Sequence, residues 1–89
     1  MKIEDIEELT IVDFYAEWCG PCKKIAVTLD KLKNSVKIIK VDVDNDAEFA
    51  QQQAVTAVPT LLFIKNGKIL ERVVGIPNFS IEQKVKDLQ

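Results

Sequence analysis

Histidine is absent from this sequence of 89 residues, and cysteine occurs only twice, as Cys19 and Cys22. The lack of histidine excludes serine–histidine and cysteine–histidine catalysis, and it excludes every metal site that uses an imidazole ligand. Two cysteines supply only half of a four-cysteine zinc site, so zinc would require two chains or unusual carboxylate ligands. We therefore expect no metal and no cofactor, and redox chemistry is the natural interpretation of the cysteine pair.

Long apolar runs and clusters of basic residues are also missing. No stretch approaches the length that spans a membrane. The 12 basic residues are dispersed among 14 acidic ones, for a net charge of −2, which argues against nucleic acid as a partner. The acidic N-terminus, MKIEDIEEL, lacks the basic-then-apolar pattern of a signal peptide. We expect a cytoplasmic protein, in a reducing compartment where close cysteines are more often catalytic or metal-binding than structural.

The length and the apolar pattern predict one domain over residues 1–89 with an α/β fold. Apolar periodicity predicts strands at about residues 11–16, 36–43, 60–64 and 69–74, and helices at about 20–34, 46–53 and from 80 onward. Asp44 or Asn45 is expected to cap the second helix. Asn66-Gly67 predicts a hairpin, and Ser80 begins a capping box. Three apolar residues near the N-terminus are spaced for a short helix, which leaves a mixed four-stranded sheet.

The two cysteines lie at a strand-to-helix junction in the segment EWCGPCK. Pro21 suits the first turn of a helix, where its missing N–H costs nothing. The helix start offers free N–H groups and the positive end of the dipole to Cys19, which favours its thiolate. We expect Cys19 to be exposed and to attack, and Cys22 to be shielded and to resolve the intermediate. The uncharged Gly20-Pro21 dipeptide favours a reductant over an oxidant.

The segment from Val12 to Lys23, VDFYAEWCGPCK, closely resembles the active-site segment of thioredoxins. AVPT at 57–60 is similar to the cis-proline loop of that family, KNG at 65–67 to its hairpin and VG at 74–75 to its substrate-groove glycine. The resemblance extends from about Ile11 to the C-terminus. It implies a thioredoxin-like three-layer fold whose N-terminal strand is missing or reduced. Tyr15 departs from the family, in which a tryptophan is common at this position.

The resemblance also implies the site residues. Asp13, within an apolar strand, is expected to be buried with a raised pKa and to accept the proton that Cys22 loses. Lys40 resembles the family lysine near that aspartate. A cis bond is expected before Pro59, beside Cys19. The residues expected to bind substrate are Trp18, Gly20, Pro21, Val58, Pro59, Thr60, Gly75 and Ile76.

The expected function is that of a thiol–disulfide oxidoreductase, an electron carrier that reduces protein disulfides through Cys19 and Cys22. Its expected partners are protein disulfide substrates and an electron-donating reductase similar to thioredoxin reductase, and the chain is expected to be a monomer. Two alternatives remain open. One is a binding module that uses the same groove; the other is a disulfide isomerase or oxidase, which the Gly-Pro dipeptide disfavours.

Overall fold

A mixed four-stranded sheet with helices on both of its faces forms the centre of the molecule. The computed structural model describes all residues from Met1 to Gln89. The elements are β1 (Thr10–Tyr15), α1 (Gly20–Leu32), β2 (Lys37–Asp42), α2 (Ala47–Gln52), β3 (Thr60–Lys65), β4 (Lys68–Val74) and α3 (Ile81–Leu88). The predicted order of strands and helices is confirmed, with boundaries that differ by one or two residues. No helix combines the length and the apolar character needed to cross a membrane.

The strands lie in the order β2-β1-β3-β4. β1 is parallel to β2 and antiparallel to β3, and β3 is antiparallel to β4. A parallel pair needs a long crossover, which α1 provides between β1 and β2. The two central strands are almost completely buried, because helices cover both of their faces. The C-terminal end of β1 therefore leads from the middle of the sheet directly toward the start of α1.

The core is divided between the two faces of the sheet, because successive strand residues point in opposite directions. Ile11 on β1 belongs to the face that α1 and α3 cover, where it packs with Leu29 and Val85. Its neighbour Val12 belongs to the opposite face, where it packs with Phe49 of α2. By the same alternation, Asp13 and Tyr15 leave the sheet on the α1 face.

The N-terminal segment differs from the prediction. The structure forms only a single 3₁₀ turn, Ile3–Asp5, instead of a helix with one apolar face. Ile3 packs on the α2 face of the sheet, whereas Leu9 packs on the α1 face. The segment is fastened to the hairpin, since the Gly67 N–H donates to the Ile6 carbonyl over 2.7 Å. A backbone partner distant in sequence therefore helps to fix its path, and the predicted short helix is reduced to this one turn without a single apolar face.

The hairpin between β3 and β4 forms where Asn66-Gly67 predicted it. Both residues adopt positive φ, 55° and 75°, which is the backbone that a two-residue hairpin turn requires. A side chain at Gly67 would also meet the Glu4 carbonyl oxygen at 2.9 Å. Glycine is thus needed here both for its conformation and for the close approach of the N-terminal segment.

At the start of α3, one of the two hydrogen bonds of the predicted capping box is formed. The Ser80 Oγ atom accepts a hydrogen bond from the Gln83 N–H over 3.1 Å. The Gln83 side chain does not reach back; its amide donates to Asp87 over 2.9 Å. The cap alone satisfies one of the free N–H groups of this helix end.

Candidate active site

Cys19 and Cys22 form a disulfide at the N-terminus of α1. Cys19 is the N-cap residue, and its Sγ atom accepts a hydrogen bond from the Cys22 N–H over 3.2 Å. Gly20 and Pro21 occupy the first two helical positions and are exposed. The sulfur of Cys19 thus occupies the place that a capping oxygen usually fills, where helix N–H groups stabilise negative charge.

Exposure does not distinguish the two cysteines in this disulfide-bonded structure. Cys19 is 4% exposed and Cys22 is 3% exposed, so the expectation of an exposed Cys19 is wrong for this state. The cause is local packing, because the two residues form a small buried cluster with Ala16, and Val58 packs against this cluster. The two sulfurs differ in their position on the helix, because only the Cys19 sulfur accepts a hydrogen bond from an N–H group of the first turn.

Asp13 lies on β1 with 0% of its surface exposed. Neither of its carboxylate oxygens has a hydrogen-bond partner. Burial therefore raises the pKa of Asp13 from 3.8 to about 6, while the positive charge of Lys40 acts in the opposite direction. The aspartate is buried with a raised pKa, as its apolar neighbours in the sequence predicted.

Lys40 is the register partner of Asp13 across the β1–β2 pair. Its side chain is exposed, and its Nζ atom lies 5.0 Å from the centroid of the Tyr15 ring. A cavity of about 190 Å³ opens between these two side chains and reaches Cys22. Solvent can therefore approach Cys22 from a side that Cys19 does not line.

Trp18 is one of the most exposed large apolar residues, with 71% of its surface accessible. Its indole is fixed, since Nε1 donates to the Asp44 Oδ2 atom over 3.0 Å. Asp44 therefore anchors the tryptophan, and the prediction that Asp44 or Asn45 caps α2 is wrong. The N-cap residue of α2 is Asp46, whose side chain makes no capping hydrogen bond.

A shallow apolar pocket of about 170 Å³ lies beside Trp18. Its other lining residues are Val43, Val55, Thr56, Ala57 and Val58. Of these, sequence reasoning identified only Val58. Val43 directly follows β2, and the other three lie in the loop between α2 and β3. No local pattern marks these residues as neighbours of the tryptophan.

The loop before β3 closes the other side of the site. The Val58–Pro59 peptide bond is cis, as the resemblance implied. The Thr60 hydroxyl donates to the Ala57 carbonyl over 2.7 Å and fixes the turn. Gly75, with φ of 82°, donates its N–H to the Pro59 carbonyl over 2.8 Å. This bond brings the end of β4, and with it the 56% exposed Ile76, next to the proline loop.

Both the sequence and the fold of the chain are similar to those of known proteins. The family model described as "Thioredoxin" matches residues 1–87. The chain is 44% identical to Thioredoxin-1 of Saccharomyces cerevisiae, over 89% of this chain and 80% of that protein. It is 40% identical to a thioredoxin of Bacillus subtilis, over 92% of this chain and 84% of that protein. Among solved structures, the X-ray structure of Fasciola hepatica thioredoxin matches with a TM-score of 0.85 and 38% identity, over 97% of this chain and 86% of that chain.

Proposed function

The chain belongs to the thioredoxin family, and from this premise we propose that Cys19 and Cys22 reduce disulfides of other proteins by dithiol–disulfide exchange. Its relatives and its cysteine pair make it a thiol–disulfide oxidoreductase with protein-disulfide reductase activity. The observation that carries the proposal is the Cys19–Cys22 disulfide at the N-terminus of α1. Neither the binding-module alternative nor the isomerase alternative is favoured by any feature of the site.

The reaction starts from the dithiol form. The Cys19 thiolate attacks one sulfur of the substrate disulfide, forms a mixed disulfide and releases the other substrate sulfur as a thiolate. Cys22 then loses its proton and attacks the Cys19 sulfur, which releases the second substrate thiolate and closes the Cys19–Cys22 bond. The substrate gains two electrons and the protein loses two. The hydrogen bond from the helix N–H to the Cys19 sulfur supports its role as the attacking atom.

Asp13 is proposed as the acceptor of the Cys22 proton. Its support is a buried, unpartnered carboxylate with a pKa of about 6, on the sheet face that α1 covers. Asp13→Asn should fold but release the mixed disulfide slowly at neutral pH, because the amide accepts no proton. Turnover equal to that of the wild type across roughly pH 6–8 would exclude this role.

Substrate is proposed to bind across the exposed surface next to the disulfide. Trp18 and Ile76 offer apolar walls, Gly20 and Gly75 lack a side chain and allow another backbone to approach closely, and the ring of Pro21 is exposed beside them. The backbone groups of Val58, before Pro59 and Thr60, are proposed to pair with an extended substrate segment, as in strand addition. Such recognition depends mainly on hydrogen bonds to the substrate backbone, which suits a reductase that acts on several proteins.

We further propose a cytoplasmic location, a reductase similar to thioredoxin reductase as electron donor, and a monomeric domain over residues 1–89. The relatives support the donor, and a reducing compartment suits a disulfide reductase. The test is insulin reduction, driven first by dithiothreitol and then by a pyridine-nucleotide-linked thioredoxin reductase. Activity with both donors is expected, and it should vanish in Cys19→Ser. Failure with dithiothreitol would contradict the reductase function, whereas failure with the enzyme alone would contradict only the donor.

A further inference from the structure

The contact between Lys40 and Tyr15 has no part in the reaction described above. The Lys40 Nζ atom lies 5.0 Å from the centroid of the Tyr15 ring, a distance at which the ring face attracts a cation. Lys40 is exposed and makes no salt bridge. The aromatic ring is therefore the contact that keeps its ammonium group near the protein surface.

This contact lies on the strands that carry Asp13 and its register partner, and it borders the cavity that Cys22 also lines. Tyr15 follows Asp13 by two residues on β1, so both side chains leave the same face of the sheet. Lys40 pairs with Asp13 in the register of β1 and β2. Tyr15 and Lys40 both line the cavity that reaches Cys22. One cation thus lies near the buried carboxylate and at the mouth of this cavity.

We propose that Tyr15 is a positioning residue, whose ring holds the Lys40 ammonium group at the mouth of the Cys22 cavity, where its charge favours the ionised form of Asp13. Neither Asp13 oxygen has a hydrogen-bond partner, so a nearby charge is what remains to stabilise the carboxylate. A lysine side chain has four flexible carbons and an ammonium group that water solvates well. Without the ring, Lys40 would spend more of its time extended into solvent.

Other charged groups surround the same region but do not replace Lys40. Leu61 of β3, opposite Asp13, is apolar, as are the residues of α3 packed on this face. The other ionisable groups around the cavity and Tyr15 are Glu17, Cys22, Lys23 and Asp42. Among the charged groups, Lys40 is the one whose charge shifts the pKa of Asp13, and it lowers that pKa. Partial burial and three carboxylates raise the pKa of Tyr15 itself, so its ring stays neutral when Asp13 titrates.

The expected effect follows from the strength of the contact. A cation–π contact at an exposed site changes an equilibrium roughly two- to fivefold. Because the ring acts only through how often Lys40 lies near Asp13, its loss should raise the pKa of Asp13 by at most roughly 0.3–0.7 pH unit, and by no more than Lys40→Met does. A base with a higher pKa is protonated up to a higher pH. The acid limb of disulfide reduction should then move upward by a similar amount, an effect that rests on the proposed role of Asp13.

The primary test measures the titration itself and needs no turnover. The carboxyl carbon of Asp13 is followed by ¹³C NMR against pH in the oxidised protein, in which the bonded cysteines do not titrate. Tyr15→Leu and Lys40→Met should each raise the pKa of Asp13, and Tyr15→Phe, which keeps the ring, should match the wild type. In a Lys40→Met background, Tyr15→Leu should cause no further rise. Tyr15→Trp offers cations a better ring face and should lower the pKa of Asp13, a second test if the leucine variant folds poorly.

Two results would overturn the proposal. One is an equal upward shift from Tyr15→Leu with and without Lys40, which would mean that the ring acts on Asp13 directly. The other is a downward shift from Tyr15→Leu, which would mean that the ring only keeps water from the carboxylate. If the titration shifts as expected while the acid limb of insulin reduction does not move, the positioning role stands and the proposed role of Asp13 as proton acceptor fails.

Discussion

Asp13→Asn should stabilise the protein at neutral pH and have little effect on its stability near pH 3. Asp13 is 0% exposed and its carboxylate has no partner, so the folded state holds the proton more tightly than the unfolded chain. Its pKa is about 6 in the folded state against 3.8 ordinarily. A raised acid pKa means that the contribution of Asp13 to wild-type stability is greatest below about pH 3.8, falls between about 3.8 and 6, and is level above. Asparagine is neutral at every pH and stands in for the protonated acid.

The magnitude follows from the two pKa values. The difference between about 6 and 3.8 is 2.2, and each factor of ten corresponds to about 1.4 kcal/mol, which gives about 3 kcal/mol. The side chain has no surface accessible to solvent, so water screens its charge only weakly. For a domain of this size, the urea midpoint of the variant should rise by roughly 2–3 M at pH 7. The gain should shrink steadily below pH 6 and vanish near pH 3.

The assay is urea unfolding of the oxidised proteins, followed by circular dichroism at pH 3, 5, 7 and 8. Asp46→Asn is a matched control, because it removes an exposed carboxylate whose side chain makes no capping hydrogen bond. The control should show no comparable gain at neutral pH. If Asp13→Asn stabilised the protein equally at pH 3 and pH 7, its effect would come from packing and not from charge. No gain at pH 7 would refute the inference that the ionised carboxylate destabilises the fold.

Three further predictions concern the helix ends and the tryptophan. In the reduced protein, iodoacetamide at neutral pH should alkylate Cys19 before Cys22, because the helix N–H stabilises its thiolate; peptide mass spectrometry that found the opposite order would contradict the assignment. Asp44→Ala should release the Trp18 indole and raise KM for insulin roughly two- to fivefold with kcat unchanged, whereas Asp44→Asn keeps an acceptor and should not. Ser80→Ala should lower the free energy of unfolding by about 1 kcal/mol, and Ser80→Asp, which still caps, should restore it in urea titrations.

Most of the fold could be predicted from the sequence because its determinants are local. The apolar runs and the Asn66-Gly67 turn identify β3 and β4 without reference to any distant residue, and the structure confirms them. Periodic apolar positions after Pro21 identify α1 in the same way. The N-terminal segment differs, because the hairpin turn fixes its path through a hydrogen bond to Ile6. The apolar pattern of the first nine residues cannot predict that the segment binds to a turn about sixty positions away in the sequence.

The site shows the same division between local and distant determinants. The buried state of Asp13 could be predicted, since apolar residues precede and follow it on a central strand. The hydrogen bond between Trp18 and Asp44 could not, because the two residues lie 26 positions apart. The burial of Cys19 was also missed, since it depends on packing by Val58 from a separate loop. Sequence patterns thus located the cysteine pair and the buried aspartate, while the contacts that orient these residues required the tertiary structure.

The stability cost of Asp13 and its proposed chemistry have the same physical cause. An acceptor for the Cys22 proton must be ionised near neutrality and must also bind a proton well. With a pKa of about 6, roughly ten molecules in eleven are ionised at pH 7, and the carboxylate is roughly a hundredfold stronger as a base than one with a pKa of 3.8. Burial alone would raise the pKa further and leave more of the acid protonated, and the opposing charge of Lys40 counteracts this rise. Asparagine at this position would make the protein more stable but could accept no proton. Loss of Lys40 would leave the carboxylate in place, but more of it would already be protonated at neutral pH.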